Sequence, residues 1–146
     1  MGFIMLRLKI RNGKKSDARA ICDMAAALSA HEGVADPKFT IGDYQKYGFG
    51  RRQQFKTLVA EAGDEVVAYL IFCESFHIGI GRPGLNILDL FVDNSFRRMG
   101  IGKKLLLLFR PIVLETTELG SLGSVSQKTS QRYIFIELLE VDNTPL

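Results

Sequence analysis

The sequence predicts a mixed-sheet domain of the α/β (α+β) class. Three observations carry that prediction. The chain opens with a strand-like alternation followed at once by an amphipathic helical stripe. Its middle holds three consecutive strand-like segments separated by turn residues. An apolar strand, an Arg- and Gly-rich turn and a Leu-rich helix then follow one another directly. The 146 residues show no repeats and no internal boundary, so residues 1–146 read as a single domain.

Residues 5–11 alternate, with Leu6, Leu8 and Ile10 set against Arg7, Lys9 and Arg11. Period two gives one buried and one wet face, hence a strand, ended by Asn12-Gly13. Ser16 reads as the N-cap of the next helix, with Asp17 near the positive end of its dipole. Ala18, Ile21, Cys22, Ala25 and Leu28 form one helical stripe, and Gly33 marks its end. Thr40 caps a short helix through Tyr44 and Tyr47, with Asp43 at the capping-box position and Gly48-Phe49-Gly50 as its stop.

Phe55 to Ala62 is a strand, Gly63-Asp64 a tight turn, and Glu65 to Glu74 the hairpin partner. A Gly-rich loop from Gly79 to Gly84 leads to a further strand, Leu85 to Val92. Phe96 to Gly102 is a turn, and a helix starts near Ile101. Pro111 removes a donor and clashes one turn back, at a cost of about 3 kcal/mol inside a helix, so a kink or a stop is expected there. Thr116 to Gln131 reads as a loop rich in Ser, Thr and Gly, and Tyr133 to Val141 as a buried strand.

Composition narrows the function classes. A net charge of +3 excludes a chain that coats nucleic acid, so no nucleic-acid partner is expected. No stretch reaches the ~18–20 apolar residues of a membrane span. The apolar start, Met1 to Leu6, is short for a signal peptide, and Leu6 breaks the myristoylation pattern. A cytoplasmic protein without a membrane partner is therefore expected. Cys22 and Cys73 lie in apolar segments and are expected as buried thiols. His31 and His77 are isolated, and no metal site is expected.

Chemistry concentrates between Leu88 and Leu106. A strand feeds a turn holding Gly100 and Gly102, and the turn feeds a helix start. The first N–H groups of that helix lack internal partners, and glycines let an anion approach the backbone. Arg97, Arg98, Lys103 and Lys104 add positive charge. On spacing alone, an anion site and a plain turn with a solvated basic helix start both remain open. The pattern is neither GxxxxGK[ST] nor GxGxxG.

Arg97-x-x-Gly100-x-Gly102 after an apolar strand resembles the acetyl-CoA pyrophosphate loop of the GNAT superfamily of N-acyltransferases. Ile10-Arg11, then Asp17, then an amphipathic helix resemble the opening of those proteins. The polyamine (diamine) N-acetyltransferases are the nearest likeness, through Tyr47 to Gly50, Phe55 to Glu61, Asp89 to Val92 and Arg97 to Gly102. The resemblance spans about residues 6–106. It implies a mostly antiparallel sheet flanked by helices, with acetyl-CoA as co-substrate and no metal. Leu90, Phe91 and Val92 would hold pantetheine, and one N–H there would polarise the thioester carbonyl. Arg97, Arg98, Met99, Gly100, Ile101, Gly102 and Lys103 would hold the pyrophosphate.

An amine acceptor arrives protonated and needs a base. The polyamine enzymes carry a Glu-Asp pair before the Phe-Phe-Val stretch. Here Leu88 stands at the Glu position, and Asp89, Glu61 and Glu74 are the candidate acids. Tyr44 and Tyr47 either line the acceptor site or pack. The family's C-terminal helix, with its tyrosine acid, and its last strands have no counterpart after Asp142-Asn143-Thr144-Pro145, which implies a shortened member. The expected activity is acetyl transfer to a primary amine of a small polyamine- or lysine-like molecule. Its rival is a non-catalytic or degenerate acyl-CoA-binding module. Without following strands, Tyr133 to Val141 would present an apolar edge, so a homo-oligomer is expected.

Overall fold

The opening alternation forms strand β1 (Leu8–Asn12) in the computed structural model, which describes residues 7–33, 38–79 and 81–116. Leu8 and Ile10 pack into the core, and Lys9 is exposed. Arg11 departs from the expected wet face, because helices cover both faces of the sheet and half-bury it.

Helix α1 (Ala18–His31) buries Ala18, Ile21 and Met24, with Cys22, Ala25 and Leu28 packed beside them. Ser16 is not its cap. It lies inside a 3-10 turn over Lys15–Asp17, for which Lys14 is the cap residue. The Asp17 carboxylate turns inward, accepting the Lys14 N–H at 2.7 Å. Helix α2 (Ile41–Gly48) starts as expected: Thr40 Oγ1 accepts the Asp43 N–H at 3.1 Å, and Asp43 accepts the Thr40 N–H at 3.0 Å. It ends where a Cβ on Gly48 would sit 2.9 Å from the Phe55 ring.

Strands β2 (Lys56–Ala62), β3 (Glu65–His77) and β4 (Arg82–Val92) join β1, and among the described residues the sheet has the order β1-β2-β3-β4 with antiparallel pairings. The β3–β4 hairpin is longer than expected. Gly84 lies in β4 opposite Ser75, not in a loop, and Gly81, at φ +65°, belongs to the turn. Two register shifts mark bulges, one leaving Val67 of β3 without a partner on β2 and one leaving Leu88 of β4 without a partner on β3.

Helix α3 (Ile101–Thr116) buries Ile101, Leu105 and Phe109 along one face. Pro111 does not stop it. A proline forfeits one bond of the ladder, and the turns on either side keep theirs. Phe109 meets Phe72 edge-on, with ring centroids 4.9 Å apart. Each such buried side chain contributes about 1.5–3 kcal/mol.

The core thus has two layers. One packs α3 against Leu58, Ala60, Leu70, Phe72 and Ile87. The other packs α1 and α2 against Val59, Tyr69, Ile71 and Phe91. Cys22 and Cys73 are unpaired and half-buried, less enclosed than expected, because each lies at the margin of the second layer. The expected strand Tyr133 to Val141, the loop before it beyond Thr116, and the oligomer edge argued from them lie outside the described residues. Among the described residues, no helix is long and apolar enough to cross a membrane.

Candidate functional site

Strand β4 is joined to α3 by residues 93–100, and this junction is built from local contacts. Asp93 Oδ1 accepts the Ser95 N–H at 2.9 Å and starts a 3-10 turn over Asn94–Phe96. Arg97 folds back: its Nε donates to the Val92 carbonyl at 3.0 Å, and its guanidinium sits 5.4 Å from the centre of the Phe91 ring. Arg98 and Gly100 take φ of +63° and +76°. The Lys104 N–H donates to the Gly100 carbonyl at 3.0 Å as the helix begins. The N–H groups of Ile101, Gly102 and Lys103 therefore face outward without intrahelical partners, at the positive end of a four-turn dipole.

Arg97, Arg98, Met99 and Lys103 are exposed around this terminus, and Ile101 is buried beneath it. A Cβ on Gly102 would meet only Val92 Cγ2, at an ordinary 3.8 Å, so the protein itself leaves room there. A Cβ on Gly100 would meet nothing within 4 Å, so its constraint is torsional alone. Gly100→Ala is expected to destabilise the fold by about 1–2 kcal/mol in chemical denaturation.

Leu90, Phe91 and Val92 form the last turns of pleat before this junction. Leu90 and Val92 pack toward α3, and Phe91 stacks on Tyr69 at 6.2 Å. Among the described residues, no strand pairs with the outer edge of β4. Its backbone groups there face away from the sheet.

The three candidate acids are not brought together. Asp89 is half-buried on the α1 side of β4, opposite Ile71, and accepts the Tyr69 hydroxyl at 2.8 Å. Burial raises its pKa above the ordinary carboxylate value; Tyr69 and the Leu90 N–H oppose that rise, and Glu32 adds to it. Glu61 lies four residues along β2 from Thr57, the partner of Ile71, roughly 13 Å at the usual rise. Its Oε2 accepts Arg11 Nε at 2.6 Å. Glu74 follows Leu70 and Phe72 on the α3 side. It is exposed, 3.7 Å from Lys56 Nζ, and borders a cavity of about 360 Å³ lined also by Gln53 and Gln54.

Tyr44 packs. It is fully buried among Phe39, Phe49 and Phe55, and its hydroxyl donates to the Lys14 carbonyl at 3.3 Å. Tyr47 is half-buried, with the Lys46 ammonium 5.0 Å from its ring centre. The contact that sequence reasoning missed is Tyr69. Alternation puts it on the face of Ile71, but its pairing with Asp89 requires the register. No group of three His, Cys, Asp or Glu side chains gathers to hold a metal among the described residues.

Comparison with known proteins agrees with this fold. Residues 20–112, more than half of the chain, match the family model described as acetyltransferase (GNAT) family. Among solved structures, a ribosomal-protein-alanine N-acetyltransferase from Brucella melitensis biovar Abortus 2308 superposes with a TM-score of 0.61 at 16% identity, over 75% of this chain and 74% of that one. An aminoglycoside acetyltransferase from an uncultured soil metagenomic sample, in complex with sisomicin, gives 0.59 at 24% identity, over 74% and 70%. A transcriptional regulator from Bacillus halodurans C-125 gives 0.62 at 17% identity, over 77% and 79%. Among curated protein sequences, none matches the chain.

Proposed function

The chain belongs to the GNAT family of acetyltransferases, and from that premise we propose that it transfers the acetyl group of acetyl-CoA to a primary amine of a small polyamine- or lysine-like molecule. The observation that carries the proposal is the open N-terminus of α3 set directly behind the outer edge of β4, which no strand pairs among the described residues. The N–H groups of Gly100 to Lys103 would hold the pyrophosphate, with Arg97, Arg98 and Lys103 supplying charge and Met99 flanking it. Backbone groups of Leu90 to Val92 would bond the pantetheine amides, and one N–H would polarise the thioester carbonyl.

The acceptor ammonium first yields one proton; its neutral nitrogen then attacks that carbonyl carbon, the C–S bond breaks, and coenzyme A leaves as its thiolate, which takes the second N–H proton. A thiol of pKa about 8.5 is a tolerable leaving group. The first of these protons passes to a carboxylate. Asp89 takes that role in this proposal, because Glu61 is held by Arg11 and Glu74 is exposed on the α3 side of the sheet, away from Asp89. The polyamine-like acceptor rests on the likeness of Tyr47 to Gly50, Phe55 to Glu61 and Asp89 to Gly102.

Calorimetric titration with acetyl-CoA tests the cofactor half, and no heat at millimolar ligand overturns it. Gly102→Val is expected to weaken binding about tenfold or more, because its methyls occupy the anion's approach. Coenzyme A release with spermidine, thialysine and lysine tests the transfer half. Leu88, where the polyamine enzymes carry Glu, is 46% exposed at the β4 bulge and favours the non-catalytic reading. Tight acetyl-CoA binding without release on any amine would establish that alternative.

A further inference from the structure

Tyr69 has no part in the reaction as set out above, yet it makes the one side-chain hydrogen bond to Asp89 among the described residues. It is fully buried in the middle of β3 and stacked on Phe91. A buried phenol needs an acceptor, and a backbone carbonyl would serve without the cost of desolvating a charge. Here the acceptor is instead a carboxylate on the neighbouring strand. Tyr69 stands opposite Phe91 and Asp89 opposite Ile71, so the two are diagonal neighbours on one face. Leu88, without a partner on β3, lies directly before Asp89, where the ladder is interrupted.

We propose that Tyr69 is a positioning residue: its hydroxyl occupies Asp89 Oδ2, fixes the carboxylate plane, and leaves the other oxygen to take the proton of the acceptor amine. This rests on the reading of Asp89 as the base. Burial and the Asp89 charge push the Tyr69 phenol far above its ordinary range, so it remains a donor and does not itself relay the proton. Its hydrogen bond favours the ionised carboxylate against the burial that opposes it. The other titratable groups acting on the pair are Cys22 of α1 and Glu32, which caps the C-terminus of that helix. Cys73 lies on the same layer of β3. Burial pushes both thiols upward, away from an acid limb.

The test is the pH profile of kcat/KM for coenzyme A release by the full chain, wild type against Tyr69→Phe and Asp89→Asn, with acetyl-CoA titrations alongside. Tyr69→Phe is expected to leave acetyl-CoA affinity unchanged, to move the acid limb up by about one pH unit and to lower the plateau about tenfold. A purely structural phenol would lower the melting temperature and leave the limb in place; that result overturns the proposal. If Tyr69→Phe does not fold, 3-fluorotyrosine at position 69, a stronger donor of nearly the same shape, is expected to move the limb downward, and an unmoved limb overturns it. Wild-type turnover in Asp89→Asn defeats the base reading instead, whatever Tyr69 does.

Discussion

Asp89→Asn is expected to lower kcat with amine acceptors by about 10²–10⁴-fold while acetyl-CoA affinity stays within about twofold. The amide keeps the shape of the carboxylate and still accepts from Tyr69, but it takes no proton. An alkyl ammonium has a pKa of about 10.4, so near pH 7 only about one molecule in 2,500 is neutral. The variant depends on that fraction, and its kcat/KM should rise about tenfold per pH unit toward pH 10. Wild type should instead level off above the Asp89 acid limb, which burial sets above that of a solvated carboxylate. Stability moves the other way. A carboxyl whose folded pKa is raised stabilises the fold most below its unfolded value and loses that contribution as pH rises through the folded one. Near neutrality the ionised group is a liability, so removing its charge should raise Tm by a few degrees. Loss of turnover with a raised Tm is the signature of a group kept for chemistry. Unchanged turnover would remove Asp89 from the mechanism.

What was legible in the chain and what was not divides by range. The Thr40–Asp43 capping box joins residues three positions apart, and Gly100 and Gly102 act through their own torsions and missing Cβ atoms. Both features were readable because they need no partner from elsewhere. Arg11 was misplaced because alternation assumes a wet face, and only the packing of α1 and α2 reveals that this one is covered. Counting back from Asp89 puts Ile87 on its face and Asn86 on the other. The Leu88 bulge reverses them, sending Ile87 into the α3 layer and Asn86, opposite Cys73, to the side of Asp89. A one-residue slip turns over every side chain beyond it, and nothing local in Asn86-Ile87-Leu88-Asp89 announces the slip. The Tyr69–Asp89 contact, twenty residues apart, depends on the same register.

Arg11→Met is expected to destabilise the fold by about 3 kcal/mol near pH 7, since it strands two carboxylates that the guanidinium holds together. Nη1 and Nη2 donate to the two oxygens of Asp17 at 2.8 and 3.0 Å, and Nε donates to Glu61 at 2.6 Å. The Asp17 side chain is only 7% exposed and that of Arg11 16%, so solvent screens this bidentate pair weakly. It also ties β1 to the turn that starts α1 and, through Glu61, to β2. Burial alone would raise the Asp17 pKa; the Arg11 and Lys14 hydrogen bonds outweigh it and hold the pKa below the ordinary 3.8. A depressed folded pKa stabilises above the unfolded value and is lost as pH falls through the folded one. Wild type should therefore weaken below about pH 4. In Arg11→Met the stranded Asp17 favours its proton, so the gap between variant and wild type should narrow in that same window. Adding Asp17→Asn to Arg11→Met should recover about 1–2 kcal/mol, a coupling typical of residues in direct contact. Urea denaturation at neutral pH and near pH 3 reads all three. Equal stability of wild type and Arg11→Met at neutral pH would show that the triad contributes nothing net to the fold.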